Sequence, residues 1–179
     1  KKRLVPFGEF LPFRNKLKFL EIFVGNADFE KGTNDRLIKT NYHFNFIPVI
    51  CYEIIFFNDL LSEINQMSPI IINITNDAWF GRHSGPYQHF YLSRIRSIEF
   101  NKFLIRLSNN GVSAIIDNYG KIISYLPLNK KEIQYLKINI PSELNNLFNF
   151  HKLIYLVLII VTIIALTIEK KIEKLQPKI

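Results

Sequence analysis

The chain has 179 residues, 48% hydrophobic and 21% charged, enough apolar content to build a core and too much for a disordered polypeptide. Its net charge of +8 does not point to nucleic acid: Lys170, Lys171, Lys174 and Lys178 supply much of it, and no basic stripe interleaved with aromatics is present. One cysteine excludes an internal disulfide, and His43, His83, His89 and His151 lack metal-ligand spacing; all four read as loop or satisfied histidines, with no metal and no cofactor expected.

The chain begins at Lys1 with neither Met nor a signal-peptide pattern, and reads as a fragment or processed product. Glu9 follows in VPFGEFLP, where two prolines and a glycine demand a turn of restricted geometry. Short apolar runs then predict strands at Leu37–Thr40, His43–Cys51, Ile70–Ile74, Phe103–Leu107, Ser113–Ile116, Ile122–Tyr125 and Ile133–Ile138. Helices are expected at Phe57–Gln66 and Tyr87–Glu99. In the second, Phe90, Ile95 and Ile98 share a face and Arg94 and Arg96 turn elsewhere. Asn109-Asn110-Gly111 and Asn118-Tyr119-Gly120 mark tight turns. Strands with intervening helices imply an α/β or layered sandwich domain over residues 1–145.

From Leu153 to Ile168 sixteen residues pass without a charge, at the short edge of the roughly 17–25 that a spanning helix needs. Phe148 and Phe150 extend the apolar length, and EKKIEK follows it. A buried core helix is the competing reading. The all-round apolar surface and the one-sided lysines favour a transmembrane helix over residues 146–169, with 170–179 as a basic cytoplasmic tail and the folded domain outside.

Three features could carry chemistry. Cys51 ends an apolar run just before a probable helix, where helix N-terminal amides favour a thiolate and can hold an oxyanion. A lone cysteine in a buried strand is also, more often, an inert small hydrophobe. Glu9 reads equally as a loop carboxylate. NITNDAWFGRHSGPYQHF leaves a buried strand carrying the only Trp, two Gly and two His, as a pocket-forming loop would or a long packed connection might.

In series, Lys1-x-x-Leu-Val-Pro-Phe-Gly-Glu9, Ile50-Cys51-Tyr52-Glu53 and Asn76-Asp77-Ala78-Trp79-Phe80-Gly81 resemble the apolipoprotein N-acyltransferases, membrane members of the nitrilase superfamily. The likeness continues through Gly85-Pro86-Tyr87-Gln88-His89-Phe90, Ser93–Glu99 and Asn109–Ser113, to about Gly120. It implies the C-terminal part of a nitrilase-like αββα sandwich followed by the family's last transmembrane helix. It further implies a Glu-Lys-Cys triad with Cys51 as nucleophile and Lys1, eight residues before Glu9, at the oxyanion. Lys2 is adjacent, but the spacing to Glu9 favours Lys1. Glu9, Tyr52 and Glu53 match supporting positions, Trp79 and Asn76 fall on substrate-binding ones, and the general-base Glu has no counterpart here.

The implied reaction takes an acyl group from a phospholipid onto Cys51 and passes it to the α-amino group of a diacylglyceryl-modified apolipoprotein cysteine. The implied location is the bacterial inner membrane, multi-pass in the whole protein, with the catalytic domain periplasmic. Further membrane helices and the first part of the domain are expected before Lys1, and the chain alone is expected to be inactive. A soluble nitrilase-type amidase and a catalytically dead membrane-anchored binding module are the alternatives.

Overall fold

The computed structural model describes residues 1–33, 36–41, 44–56, 60, 68–141 and 148–175. The chain divides into two compact units, Lys1–Asn145 and Asn146–Ile179. Of the expected helix at Phe57–Gln66 only Leu60 is described, and His43 also lies outside the described residues.

The first unit opens with an irregular segment over residues 1–33 in which a 3-10 turn, Lys18–Leu20, runs into a short α-helix, α1 (Glu21–Val24). Strands β1 (Ile38–Lys39), β2 (Asn45–Ile50) and β3 (Ile70–Thr75) follow, then helix α2 (Ser84–Glu99) and strands β4 (Phe103–Ser108), β5 (Ser113–Ile116) and β6 (Ile122–Leu126). The six strands form one mixed sheet in sequence order. β2, β3 and β4 run parallel, and the remaining neighbours are antiparallel. Tight turns at 108–113 and 117–121 close the last two hairpins, as their Gly-containing sequences require. The α/β class is the one expected; the sheet is mixed, and among the described residues no second sheet layers against it.

Register explains where the core ends and chemistry begins. Ile47, Ile71, Leu104 and Ile116 are consecutive partners across four strands and are all fully buried. Two residues further along, the same face carries Val49, Asn73, Arg106 and Ala114, also a partnered row. One step beyond, Thr75 pairs with Ser108, while β2 has already ended at Ile50. The face therefore grades from apolar to polar toward the carboxyl ends of the parallel strands, where sites collect in open α/β sheets. On the other face, Ile74 and Leu107 remain about half exposed.

Helix α2 packs on the buried face through Pro86, His89, Phe90, Ser93, Arg96 and Ser97. This corrects the expected stripe. Ile95 and Ile98 are exposed, and Arg96 is buried. The cause lies beneath the helix: Arg106 rises from β4 into the interface and donates to Ser93 Oγ at 2.9 Å, so small side chains must face it. The strand expected at Ile133–Ile138 does not form. Its alternating pattern describes one chain's side chains only, and no neighbouring edge pairs with it; Ile133 and Tyr135 stand exposed.

The second unit holds α3 (Phe148–Leu175). Among the described residues no helix is long and apolar enough to cross a membrane. The charge-free run of sixteen residues between Lys152 and Glu169 spans about 24 Å at 1.5 Å per residue, short of the roughly 30 Å hydrocarbon thickness.

The row structure predicts strongly unequal costs within one strand. Ile71→Ala, in the buried row, should lower stability by about 2–5 kcal/mol, and Ile74→Ala, on the exposed face, by roughly 0.5 kcal/mol or less. Urea unfolding of both variants measures the difference, and equal losses would refute the register.

Candidate active site

Cys51 begins a 3-10 turn, Cys51–Ile55, directly at the end of β2. Its φ is 55°, in the left-handed region, which costs a non-glycine residue on the order of 1–2 kcal/mol. The bend swings the thiol out of the strand, half-buried, so Cys51 terminates β2 rather than extending it as expected.

The bend is held by Glu53. Its Oε1 accepts from the backbone amides of Lys2 (2.7 Å) and Arg3 (2.8 Å) and from the Arg36 guanidinium (2.7 Å). Its Oε2 accepts from the amide of Ile50 at 3.1 Å. Burial by itself pushes this carboxyl up; Arg36 and the amides of Arg3 and Ile50 outweigh it and bring it down from 4.5 to about 2. One side chain thus ties the N-terminal segment to the elbow.

The N-terminal segment carries Glu9 on a turn where its own amide donates to Val5 O and Phe7 N–H donates to Phe10 O. The Glu9 carboxylate accepts from Lys1 Nζ at 2.5 Å and from the amide of Val5 at 2.8 Å. A cleft of about 310 Å³ is lined by Val5, Gly8, Glu9, Cys51, Tyr52, Trp79 and Phe80. The Trp79 indole is 73% exposed, so a large apolar surface stands at the mouth.

Beneath the elbow lies a buried polar layer. Asp77 Oδ2 accepts from Arg106 (2.7 Å) and Ser108 Oγ (2.9 Å), and Oδ1 from His89 Nδ1 (2.8 Å) and Thr75 Oγ1 (3.2 Å). Arg106 also donates to Asn73 Oδ1 at 2.5 Å, and Asn73 Nδ2 donates to the carbonyls of Val49 (2.9 Å) and Cys51 (3.3 Å). Burial pushes Asp77 up, but His89 and Arg106 hold it below the usual carboxylate range. Burial and the Arg106 charge together lower the His89 imidazole more than Asp77 raises it, which leaves the ring neutral with Nδ1–H donating. Among the described residues His89 Nε2 has no hydrogen-bond partner, and the ring packs against both Tyr52 and Phe80. Gly111 is required by this layer: a Cβ there would lie 1.9 Å from Asp77 Oδ2.

Cys51, Glu9, Tyr52 and Trp79 thus meet at one cleft. Lys1 reaches it through Glu9, and Glu53 sits behind it as a clasp. Asn76 does not line the cleft; its Oδ1 accepts from the Ala78 amide and from Asn109 Nδ2, capping the turn that presents Trp79. Sequence reading missed Arg36, Thr75, Asn73 and Arg106. Only Arg106 left a signal, a charge in the middle of the apolar strand FLIRLS. His89 is neither on a loop nor fully satisfied. His83, exposed just before α2, fits the expectation of a loop histidine.

A thiol on a strand-to-turn elbow, opposite a carboxylate–lysine pair at the carboxyl edge of a mixed sheet, defines a cysteine-centred α/β enzyme domain. The chain belongs to the carbon-nitrogen hydrolase family, whose signature matches residues 4–142. It is 43% identical over 166 residues to the apolipoprotein N-acyltransferase of Rickettsia prowazekii (strain Madrid E), covering 89% of this chain and 33% of that protein. Its counterpart in Rickettsia bellii (strain RML369-C) is 40% identical over 176 residues, 96% of this chain and 35% of that one. The motif resemblance is borne out, and the chain spans about a third of the length of these curated relatives. Among solved structures, Saccharomyces cerevisiae Nit3, of the nitrilase superfamily, aligns at 20% identity and a TM-score of 0.46 over 57% of this chain and 40% of its own.

The clasp gives a signed pH prediction. A carboxyl lowered from 4.5 to about 2 contributes stability that is complete above pH 4.5 and lost as pH falls toward 2, on the order of 3 kcal/mol. Glu53→Gln should be less stable than wild type by about that amount at neutral pH, with the gap narrowing between pH 4.5 and 2. Urea unfolding at several pH values measures it; a gap independent of pH would contradict the clasp.

Proposed function

We propose that this chain is the nucleophile-bearing part of an apolipoprotein N-acyltransferase, moving a fatty acyl group from a phospholipid to the α-amino group of a diacylglyceryl-modified N-terminal cysteine. The observation that carries this reading is the cleft in which the Cys51 elbow faces Glu9 and its bound Lys1. The high identity to apolipoprotein N-acyltransferases supports the choice of acyl transfer over amide hydrolysis.

The Cys51 thiolate attacks the ester carbonyl, and the Lys1 ammonium, oriented by Glu9, stabilises the oxyanion. Collapse expels the lysophospholipid alkoxide, which takes the proton first removed from the thiol, and leaves a thioester. The acceptor amine then attacks the thioester, loses its proton to the base, and the thiolate departs. The carboxylates described around Cys51 are committed: Glu9 to Lys1, Glu53 to Arg36 and Asp77 to Arg106. Following the likeness to the apolipoprotein N-acyltransferases, we assign the general base to a glutamate outside these 179 residues and expect this chain by itself to be inactive. Tyr52 and Trp79 form the apolar wall for an acyl chain, and Asn76 acts by holding the Trp79 turn.

Both substrates are anchored in a bilayer, and α3 suits the same setting. Its apolar side chains from Leu153 to Ile168 are exposed on every face, and lysines follow at 170, 171 and 174. We assign the part of α3 up to residue 169 to an inner-membrane helix, slightly short for the bilayer, with residues 170–179 cytoplasmic and the domain periplasmic.

A chimera tests this. With this chain in place of the matching third of the Rickettsia prowazekii protein, membranes should N-acylate a diacylglyceryl-cysteine lipopeptide, and Cys51→Ala should abolish transfer by roughly 10³-fold or more. Undiminished transfer by the Cys51→Ala chimera would overturn the assignment. Hydrolysis of small amides without acyl transfer would favour an amidase.

A further inference from the structure

We propose that Thr75 belongs to the reacting centre: its hydroxyl donates the hydrogen bond that stabilises the Cys51 thiolate, and Asp77 holds that hydroxyl in reserve. This rests on Cys51 being the nucleophile.

Thr75 Oγ1 lies 3.5 Å from Cys51 Sγ and 3.2 Å from Asp77 Oδ1. A hydroxyl has one proton, so it serves one of these acceptors at a time. Asp77 does not depend on it, because His89 Nδ1, Arg106 and Ser108 Oγ also donate to the same carboxylate. Releasing Thr75 leaves Asp77 with three donors, whereas a half-buried thiolate without Thr75 loses the donor described beside it. The hydroxyl turns to Asp77 when the sulfur is a neutral thiol or a thioester, and to the sulfur when it is a thiolate. No proton leaves Thr75 in either direction.

The placement is rigid. Thr75 is the last residue of β3, is 6% exposed, and pairs with Ser108 on β4. Its β-branched side chain has little rotamer freedom, and its carbonyl accepts from the Asn109 amide at 3.4 Å. The carboxylates around the sulfur are each paired with a cation. Below it, Arg106 neutralises Asp77 beside the neutral His89, so the layer does not present a bare negative charge. Glu9 with Lys1 faces it across the cleft, and Glu53 on its own turn is paired with Arg36.

Cys51 is the only cysteine in the sequence, so alkylation by iodoacetamide, read by intact mass across pH, reports its thiolate directly. In the 179-residue chain Thr75→Val should slow alkylation at neutral pH by about three- to tenfold, with the rate at the alkaline limit unchanged. Thr75→Ser should restore the wild-type profile, which a purely packing role would not require. Thr75→Ala provides a second hydroxyl-free variant if Val does not fold, with folding checked by circular dichroism. A folded Val or Ala variant with the wild-type pH profile would overturn the proposal. This readout needs no acyl transfer, so an unshifted profile removes Thr75 and leaves the nucleophile standing, whereas transfer by a Cys51→Ala chimera removes the nucleophile itself.

Discussion

The Glu53 carboxylate fixes where everything else in the site can be. It is fully buried and accepts four hydrogen bonds, from the amides of Lys2, Arg3 and Ile50 and from Arg36. Residues 1–5 form no strand with the sheet, so these bonds stand in for the ladder that would otherwise register them. The same carboxylate reaches back to the amide just before the Cys51 bend, where the backbone is strained at φ 55°. A buried charge with this many donors is strongly destabilised by losing any one of them, which makes the arrangement specific rather than merely stable. Glu9, with Lys1 bound to it, faces Cys51 because Glu53 brings their segment to the elbow.

Below the elbow, the sheet places a second buried charge pair. Arg106 and Asp77 are both inaccessible, a costly choice for a core, and each is surrounded by further partners drawn from β3, β4 and α2. The layer explains two features that packing alone does not. Ser93 and Ser97 face the sheet from α2 in place of large apolar residues. Gly111 has no room for a side chain, since the Asp77 carboxylate occupies that space. The same layer holds the strand ends, and so the sulfur's surroundings, in one geometry.

Much of the sheet was legible from the chain. Apolar runs located β2 to β6 to within a few residues, because β2 to β5 each bury side chains on one face and β6 half-buries one of its own. Ile133–Ile138 failed because alternation cannot report whether a partner edge exists. The face of α2 failed because its inward positions are set by Arg106, twenty or fewer positions away in sequence but across an interface. Cys51, Glu9 and Tyr52 were recoverable only as ordered motifs. Arg36 and Thr75 were not recoverable at all, since a salt bridge to Glu53 and a hydroxyl beside a sulfur have no local pattern. Trp79 was marked by its motif; its exposure at the cleft mouth required the fold.

In the proposed reaction the acyl group passes through the Cys51 sulfur. The most direct measurement is peptide mass spectrometry on the acceptor-free chimera after incubation with phospholipid vesicles. An acyl adduct on the peptide containing Cys51, removed by neutral hydroxylamine as a thioester is, is the result predicted. Turnover on addition of acceptor with no such adduct, or with the acyl group on a hydroxyl or lysine elsewhere, would contradict it.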